Sequence, residues 1–230
     1  FRDLCRSFGW GEEVYSATAE EEVSLQLKDL QKKSKKAEKL LALAKNNSSW
    51  QEAQSALLKA QALMSLTMNL TEQLPASEQE EYVALTLLHG KKITPKARAL
   101  MELLEFFGAK SIFIHYKGGF LVESVCPKAK MDSVLEINQF FSDSLEQWYL
   151  EVKKMHAGLV HRESFYKGIV TGFREKVKQN EAQLFPHQKA LVNADKKKLD
   201  YYFELAYPRT RNLSFNHGYN AQSFASGQAM

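Results

Sequence analysis

The chain has 230 residues, of which 44% are hydrophobic and 25% are charged, and its formal net charge is +4. This composition is ordinary for a globular protein with a buried core. No apolar run approaches the roughly 18 residues that a membrane span requires, so we expect no membrane association. The mildly basic balance permits an anionic partner without requiring one.

The chain has two cysteines, Cys5 and Cys126. Two cysteines so far apart form neither a disulfide framework nor a zinc site, and a reducing compartment suits them best. Residues 1–13 contain no apolar stretch typical of a signal peptide. We therefore expect a cytoplasmic protein.

The first long helix is predicted over residues 19–45. Apolar residues at helical spacing mark its buried side: Ala37, Leu40, Leu41 and Ala44. Short polar residues follow at 46–49, and their side chains compete with the helix for backbone hydrogen bonds. Ser49 and Glu52 fit a capping box, which would start a second helix from Trp50 to about Asn69.

Six residues form the apolar side of the second helix, and three of them are small alanines: Ala53, Ala56, Leu57, Ala60, Leu63 and Met64. Small side chains allow two helices to pack closely, and the short connection makes them antiparallel neighbours. We therefore predict an antiparallel helical hairpin within an N-terminal module that covers residues 1–74.

The hairpin sequence resembles that of an uncharacterised family of bacterial, plasmid and phage proteins, a domain of unknown function. The matching segments are KLLALA and KAQALM, with two dipeptides between them: Lys39–Ala44, Glu52-Ala53, Ala56-Leu57 and Lys59–Met64. The resemblance implies a protein of a mobile element or its bacterial host. It implies an architecture but no agreed activity.

A weaker resemblance, from about Leu100 to the end, is to the uncharacterised α+β domain that often follows such a hairpin. It is carried by five features of the sequence: the strand pair in Ser111–Val125, the run Arg162–Phe165, the glycines Gly168 and Gly172, the run Ala190-Leu191-Val192, and a tail that contains glycine. Two glycines four residues apart also predict a close contact between their helix and a neighbouring helix or the hairpin, or a ligand against the glycine face.

Pro75 marks a linker, and residues 78–88 are predicted as a further helix, so residues 75–98 are interpreted as linker and helix. Thr94 and Pro95 predict the start of a helix that ends at Gly108. Two β-rich runs around Lys117-Gly118-Gly119 are typical of a β-hairpin.

Three more helices are predicted after the β-hairpin. Asp132 can cap one that reaches about His156, the second covers residues 163–180, and Asp195 can cap the third. Pro186 interrupts the chain, and residues 190–192 are predicted as a short strand. We assign residues 99–207 to an α+β domain and residues 208–230 to an irregular tail. The predicted fold class is α+β, mainly helical, with a helical hairpin before a β-hairpin packed by long helices.

Lysines crowd one side of the first long helix: Lys28, Lys32, Lys35, Lys36 and Lys39. Residues three and four apart share a helix face. Such a face could lie along a phosphate backbone and supply affinity that depends on salt but not on sequence. The alternative is the solvated outer face of a long helix.

The tail combines aromatic rings with cations: Arg209, Arg211, Phe215 and Tyr219. Rings beside cations suit single-stranded nucleic acid, because unpaired bases stack on them. The alternative is a tail that packs on the domain, or that folds only in a larger assembly.

No motif for catalysis or nucleotide binding is present: GxxxxGK[ST], GxGxxG, GxSxG, HExxH and CxxC are absent. Two acidic pairs on helices could hold Mg²⁺ in a nuclease that also uses His115: Glu102 with Glu105, and Glu146 with Glu151. Nothing in the sequence brings a third carboxylate beside them, so we interpret them as surface positions. We expect no catalytic residue, metal or cofactor.

These features favour a non-enzymatic protein whose partner is DNA, RNA or another protein. One alternative is a metal-dependent hydrolase, such as a nuclease. Another is a structural or anti-defence protein that acts by covering a surface.

Overall fold

The computed structural model describes residues 28–29, 32–47, 49–67, 81–156, 159–211 and 218–230. Predictions for residues 1–27, for the linker around Pro75 and for Phe215 lie outside these ranges. In the part described, helices predominate and pack on a small sheet of three antiparallel strands. The predicted fold class, α+β and mainly helical, is confirmed.

The N-terminal helical hairpin is present. Helix α1 covers residues 32–45 and helix α2 covers Trp50–Thr67. Residues of both helices are buried in the main hydrophobic core: Ala37, Leu41, Ala44, Ala53, Ala56, Leu57, Ala60 and Met64. The alanines that predicted close packing of the two helices are among these buried residues, so the helical hairpin is confirmed.

The turn between α1 and α2 is organised by Asn47 rather than by the predicted capping box. The Ser49 N–H donates to Asn47 Oδ1 at 2.9 Å, and the Asn47 side-chain amide donates to the Glu52 carboxylate at 2.6 Å. In a capping box the Glu52 side chain would instead accept from the Ser49 N–H. Here the Asn47 side chain, in an asparagine turn, accepts the hydrogen bond from the Ser49 N–H that Glu52 would accept in a capping box.

Strand β1 (Tyr82–Gly90) corrects the helix predicted over residues 78–88. Leucine and alanine favour a helix locally, but β1 pairs antiparallel with β3 (Gly119–Pro127) along its length. Long-range pairing of this kind overrides a weak local propensity. A register shift between Thr86 and Leu88 inserts one residue, and the bulge strengthens the local twist of the strand.

Helix α3 (Pro95–Glu105) starts as predicted. The Ala97 N–H donates to Thr94 Oγ1 at 3.1 Å, and Pro95 occupies the first turn. After the helix, Gly108 has a φ of 79°, which turns the chain towards the next strand at little cost because glycine has no Cβ.

The predicted β-hairpin is also confirmed. Strand β2 (Lys110–Tyr116) pairs antiparallel with β3, and Gly118 in the connecting turn has a φ of 113°. The sheet order is β1-β3-β2, so β3 is central.

The two faces of the sheet contact different helices. The inner face packs on α3 through Phe120 and Val122, which share a cluster with Ala97. The outer face packs on the helix that follows residue 185, through a cluster of Val125 with Leu199 and Phe203. Because side chains alternate along β3, Leu121 and Glu123 share the outer face with Val125.

Two long helices follow the sheet. After a short 3₁₀ helix (Lys128–Lys130), helix α4 covers Met131–Met155, and helix α5 covers Arg162–Ala182. The predicted cap at Asp132 is wrong, because this residue lies in the first turn of α4 and Lys130 precedes the helix.

Helix α6 (Pro186–Ala206) is continuous, which corrects both the strand predicted over residues 190–192 and the cap predicted at Asp195. Pro186 occupies the first turn of the helix, where its missing N–H costs nothing. Asp195 lies inside α6 with 6% of its surface exposed.

Helix α7 (Ala221–Gln228) corrects the irregular tail predicted for this region. It packs on α5 at the two glycines that predicted a close contact. A Cβ on Gly168 would lie 2.1 Å from the Phe224 carbonyl oxygen, and one on Gly172 would lie 2.7 Å from the Gln228 carbonyl oxygen. The neighbouring helix is therefore α7, and the backbones meet directly.

The main core joins the helical hairpin to α3, α4 and α5. At its centre three rings meet, with centroids 5.8 to 6.1 Å apart: Phe107, Phe141 and Phe173. Ring pairs at this spacing add stability beyond the area that they bury. The core thus fixes α1 against the rest of the fold and orients its outer side to solvent.

Candidate functional site

The outer side of α1 presents four of the predicted lysines, and the fifth, Lys28, lies in the helical residues 28–29 that precede α1. All five are exposed: Lys28, Lys32, Lys35, Lys36 and Lys39. From residue 32 to residue 39 they fall within roughly 100° of the helix circumference, at 100° per residue. The buried residues Ala37, Leu41 and Ala44 lie on the opposite side. We call these five residues the lysine face.

In the part of the chain that the structure describes, no residue of the lysine face forms an ion pair. The neighbouring Lys33 does, with Asp29 at 2.7 Å. Lys32 and Lys39 are about 10 Å apart along the helix axis. That length corresponds to about three phosphates of one nucleic-acid strand. The lysine face can therefore contact several consecutive phosphates with charges that no described carboxylate already holds.

One apolar side chain interrupts the lysine face. Leu43 is 54% exposed and lies in the same sector of α1, one turn beyond Lys39. A single exposed leucine is common on protein surfaces, but it adds an apolar contact that a protein partner could use.

The tail residues are divided between two places. Arg209 and Arg211 are exposed and follow Tyr207, whose hydroxyl donates to the Glu123 carboxylate of β3 at 2.6 Å. Tyr219 is 66% exposed, and its ring packs on Phe224 of α7 with centroids 5.7 Å apart. The arginines are thus tied to the sheet, whereas Tyr219 belongs to the α7 contact.

The acidic pairs do not converge on a metal site. Glu102 accepts from Arg174 at 2.8 Å, and Glu146 accepts from Arg162 at 2.9 Å. Glu146 also accepts from the Tyr166 hydroxyl, whose pKa is raised by burial and by that carboxylate. Among the described residues, no group of three or more His, Cys, Asp or Glu side chains could hold a metal ion.

A serine and a histidine meet at the start of α5, which the sequence reasoning missed. His161 Nδ1 and Ser164 Oγ are 2.8 Å apart, a distance that a nucleophile and its base would also show. However, Ser164 is 2% exposed, and its Oγ accepts from the Asn220 N–H at the start of α7. The pair therefore caps α5 and holds α7, and a substrate cannot reach the serine.

A cavity of about 320 Å³ lies between α2, the end of α3, the start of β2, the 3₁₀ helix, α5 and α6. Its floor is apolar, with Phe107, Val177 and Leu199. Its wall carries cations and carboxylates in nearly equal number: Lys110, Lys130, Arg174, Lys178 and Lys196 against Glu105, Glu181, Asp195 and Asp200.

Several of these charges pair with each other or with neighbours. Lys110 contacts Asp200, and Lys196 contacts Glu181 at 3.0 Å. A polyanion would gain little from a wall of balanced charge. No local sequence signal could have indicated this cavity, because its lining comes from six separate segments of the chain.

Cys126 lies on β3, and its side chain is buried in the main core. Burial raises the pKa of its thiol to about 11. Only a very small fraction of such a thiol is ionised near neutral pH, so it cannot serve as a nucleophile. This residue therefore belongs to the core and not to a reactive site.

None of the described helices combines the length and the apolar content that crossing a membrane requires. Among known protein families, residues 34–66 match the model described as "Protein of unknown function (DUF2786)". This match confirms the predicted resemblance of the hairpin to an uncharacterised family, and it includes three residues of the lysine face: Lys35, Lys36 and Lys39. No curated protein and no solved structure matches the chain. The resemblance of the region after residue 100 stays a prediction.

Proposed function

We propose that this protein binds nucleic acid without catalysing a reaction, and that the lysine face of α1 contacts the phosphates. The observation that supports the proposal is the set of five exposed lysines on one side of a helix whose opposite side is anchored in the core. Lysines on a rigid helix lose less freedom on binding than lysines on a mobile segment.

Binding of this kind is electrostatic and independent of sequence. Each lysine that neutralises a phosphate releases counterions, so the logarithm of the affinity falls linearly with the logarithm of the salt concentration. Five contacts would give a slope of about −4 to −5 on duplex DNA. The protein would therefore bind tightly at low salt and weakly at high salt.

We further propose a cytoplasmic protein of a mobile element or of its bacterial host. The resemblance of the hairpin sequence supports the origin, and the cysteine content supports the compartment. A second candidate function is docking of a protein partner on α1. The exposed Leu43 within the lysine face favours it, because aliphatic contacts contribute more to protein interfaces than to phosphate binding.

The test is a variant in which Lys28, Lys32, Lys35 and Lys39 are changed to glutamine. Binding to labelled duplexes of unrelated sequence is measured by fluorescence anisotropy at about 50 and 200 mM salt. We expect weaker binding to every sequence. The salt slope should become shallower by about 0.9 for each phosphate that the variant no longer neutralises.

The matched control removes four exposed lysines elsewhere, by changing Lys153, Lys154, Lys167 and Lys197 to glutamine. It makes the same change in net charge and should bind almost as the wild type does. Wild-type protein that fails to bind any DNA or RNA at about 50 mM salt would disprove the proposal. A control that loses as much affinity as the α1 variant would show that only net charge matters.

A further inference from the structure

One end of the outer face of the sheet lies beyond the cluster that α6 forms with this face. Helix α6 covers the part around Val125 and Ile112. Leu121 lies further along β3 on the same face, opposite His89 of β1 and Ile114 of β2. Tyr116 follows two residues after Ile114 and therefore shares this face. His89 is exposed, Tyr116 is 50% exposed, and Leu121 and Ile114 are half-buried.

Three lysines lie at the same end of the sheet. Gly90 ends β1 and lies opposite Phe120, so Lys91 and Lys92 emerge beside the β2–β3 turn that contains Lys117. The end of β1 lies very close to the start of β3, because a Cβ on Gly119 would lie 2.2 Å from the Gly90 carbonyl oxygen. All three lysines are exposed. Lys91 and Lys92 are far from Lys117 in the sequence, and the pairing of β1 and β2 with β3 brings them to the same end of the sheet.

No carboxylate balances these lysines nearby in the chain. Residues 82–101 and residues 106–122, which build this end of the sheet, contain no aspartate or glutamate. The nearest carboxylate on the outer face is Glu123, which accepts hydrogen bonds from the hydroxyls of Tyr207 and Thr86. The described part of this end of the sheet therefore carries a net positive charge.

Two further cations are tethered to the same face. Tyr207 is fixed to β3 through Glu123, and chain length limits the Cα atoms of Arg209 and Arg211 to about 7 and 14 Å from that of Tyr207. Both arginines are exposed. We call the group formed by His89, Lys91, Lys92, Tyr116 and Lys117 the sheet-end patch.

We propose that the sheet-end patch binds single-stranded nucleic acid, with Lys91, Lys92 and Lys117 at the phosphates and the Tyr116 ring stacked on a base. This inference goes beyond the proposed function, because it concerns a different surface and does not require the lysine face of α1. The positive charge of the three lysines favours an anionic ligand. The exposed Tyr116 ring favours a ligand that also contains a planar, unpaired base.

The geometry favours single strands over duplexes. The bases of a duplex are stacked on each other and offer no face to a protein ring, whereas the bases of a single strand do. Leu121 and Ile114 flank Tyr116 and give the base an apolar surface instead of water. Arginine side chains such as those of Arg209 and Arg211 can add stacking and charge along the strand.

Two kinds of variant test the proposal on labelled oligo(dT) of about 20 nucleotides and on a duplex of the same length. Changing Lys91, Lys92 and Lys117 to glutamine should weaken oligo(dT) binding about tenfold or more at low salt and make the salt slope shallower by about 2. Tyr116→Ala should weaken it about tenfold, while Tyr116→Phe should stay close to the wild type, because phenylalanine keeps the ring.

The controls match these changes in charge and in ring loss. One changes Lys153, Lys154 and Lys197 to glutamine, and the other is Tyr201→Ala, which removes a tyrosine that is 59% exposed on α6. Both should bind oligo(dT) as the wild type does. Thermal unfolding of every variant shows whether it is folded. Because the substituted side chains are exposed, we expect melting temperatures close to that of the wild type.

The α1 variant is measured beside them, so that the two proposals fail separately. Loss of oligo(dT) binding in the sheet-end variants, with the α1 variant unaffected on oligo(dT), supports this inference. An α1 variant that also keeps wild-type affinity for the duplex removes the proposed function. Equal loss of single-strand and duplex binding in the sheet-end variants, or wild-type binding by Tyr116→Ala, would overturn the inference. So would a wild type that ignores oligo(dT) but binds phosphatidylserine vesicles or polyglutamate through the same lysines.

Discussion

Gly168 of α5 and Phe224 of α7 meet backbone to backbone: a Cβ added to Gly168 would lie 2.1 Å from the Phe224 carbonyl oxygen. The contact is reciprocal, because a Cβ on Gly227 would lie 2.0 Å from the Phe165 carbonyl oxygen. Hydrogen bonds from the His161 N–H to Ser223 Oγ and from the Asn220 N–H to Ser164 Oγ close the same interface. Helix α7 is thus held to α5 by glycine positions that admit no larger residue.

Gly168→Ala should therefore destabilise the protein, although alanine normally favours a helix over glycine by about 1 kcal/mol. Overpacking against a carbonyl oxygen that cannot move aside should cost about 1–3 kcal/mol, a drop of about 2–4 °C in melting temperature for each kcal/mol. Gly218→Ala is the matched control, because a Cβ there would meet nothing within 4 Å. Thermal unfolding and proteolysis of the C-terminus measure the effect. An unchanged melting temperature in Gly168→Ala would contradict the packing.

Ala56→Glu should unfold the helical hairpin. Ala56 is 4% exposed and lies in the main core with Ala37 and Ala60, so a glutamate there would bury an unpaired charge. We expect a loss of the order of 3 kcal/mol. The adjacent Ser55 is exposed, and Ser55→Glu should be nearly neutral. Circular dichroism during heating compares the two variants, and equal stability would reject the buried position of Ala56.

The protein should not respond to divalent metal ions. The carboxylates of Glu102 and Glu146 are each held by an arginine, so recruiting either to Mg²⁺ would break an ion pair. We expect EDTA and added Mg²⁺ to leave the melting temperature unchanged, and DNA and RNA to remain intact during incubation. Cleavage that requires a divalent ion and disappears in Glu102→Ala or Glu146→Ala would establish the nuclease alternative.

Cys126 should be unreactive in the folded protein. It is 0% exposed and its pKa is raised to about 11, so at about pH 8 roughly one thiol in a thousand is ionised. In a Cys5→Ser variant, which leaves Cys126 as the single thiol, we expect no reaction with Ellman's reagent before unfolding. One equivalent should react in guanidinium. Rapid reaction of the native protein would show that this part of the core opens readily.

The local signals of the sequence were sufficient for several elements. The 3.6-residue spacing of small and apolar residues predicted the helical hairpin, and Thr94 with Pro95 predicted the start of α3. The turn around Gly118 predicted the β2–β3 hairpin. Each of these signals lies within about 30 residues, so neighbours along the chain contain the information. The lysine face belongs to the same class, because one helix carries all its members; its role remains a prediction.

Some errors came where distant residues decide the structure, and others came from local signals that were misinterpreted. Strand β1 has the leucines and alanine of a helix, and only its pairing with β3 makes it a strand. Pro186 was interpreted as a break, although a proline in the first turn starts α6. Helix α7 has little periodic pattern of its own, and the glycines of α5 provide its binding surface.

The sequence by itself determined the fold class, the hairpin and which lysines share the outer side of α1, because helix and turn signals are short-range. Only the tertiary structure decided that Lys91, Lys92 and Lys117 lie at the same end of the sheet and that this end lies beyond the cluster formed by α6. The physical reason is that β1 and β3 pair through backbone hydrogen bonds between residues 30 to 45 positions apart, and the local order of side chains does not specify such a pairing.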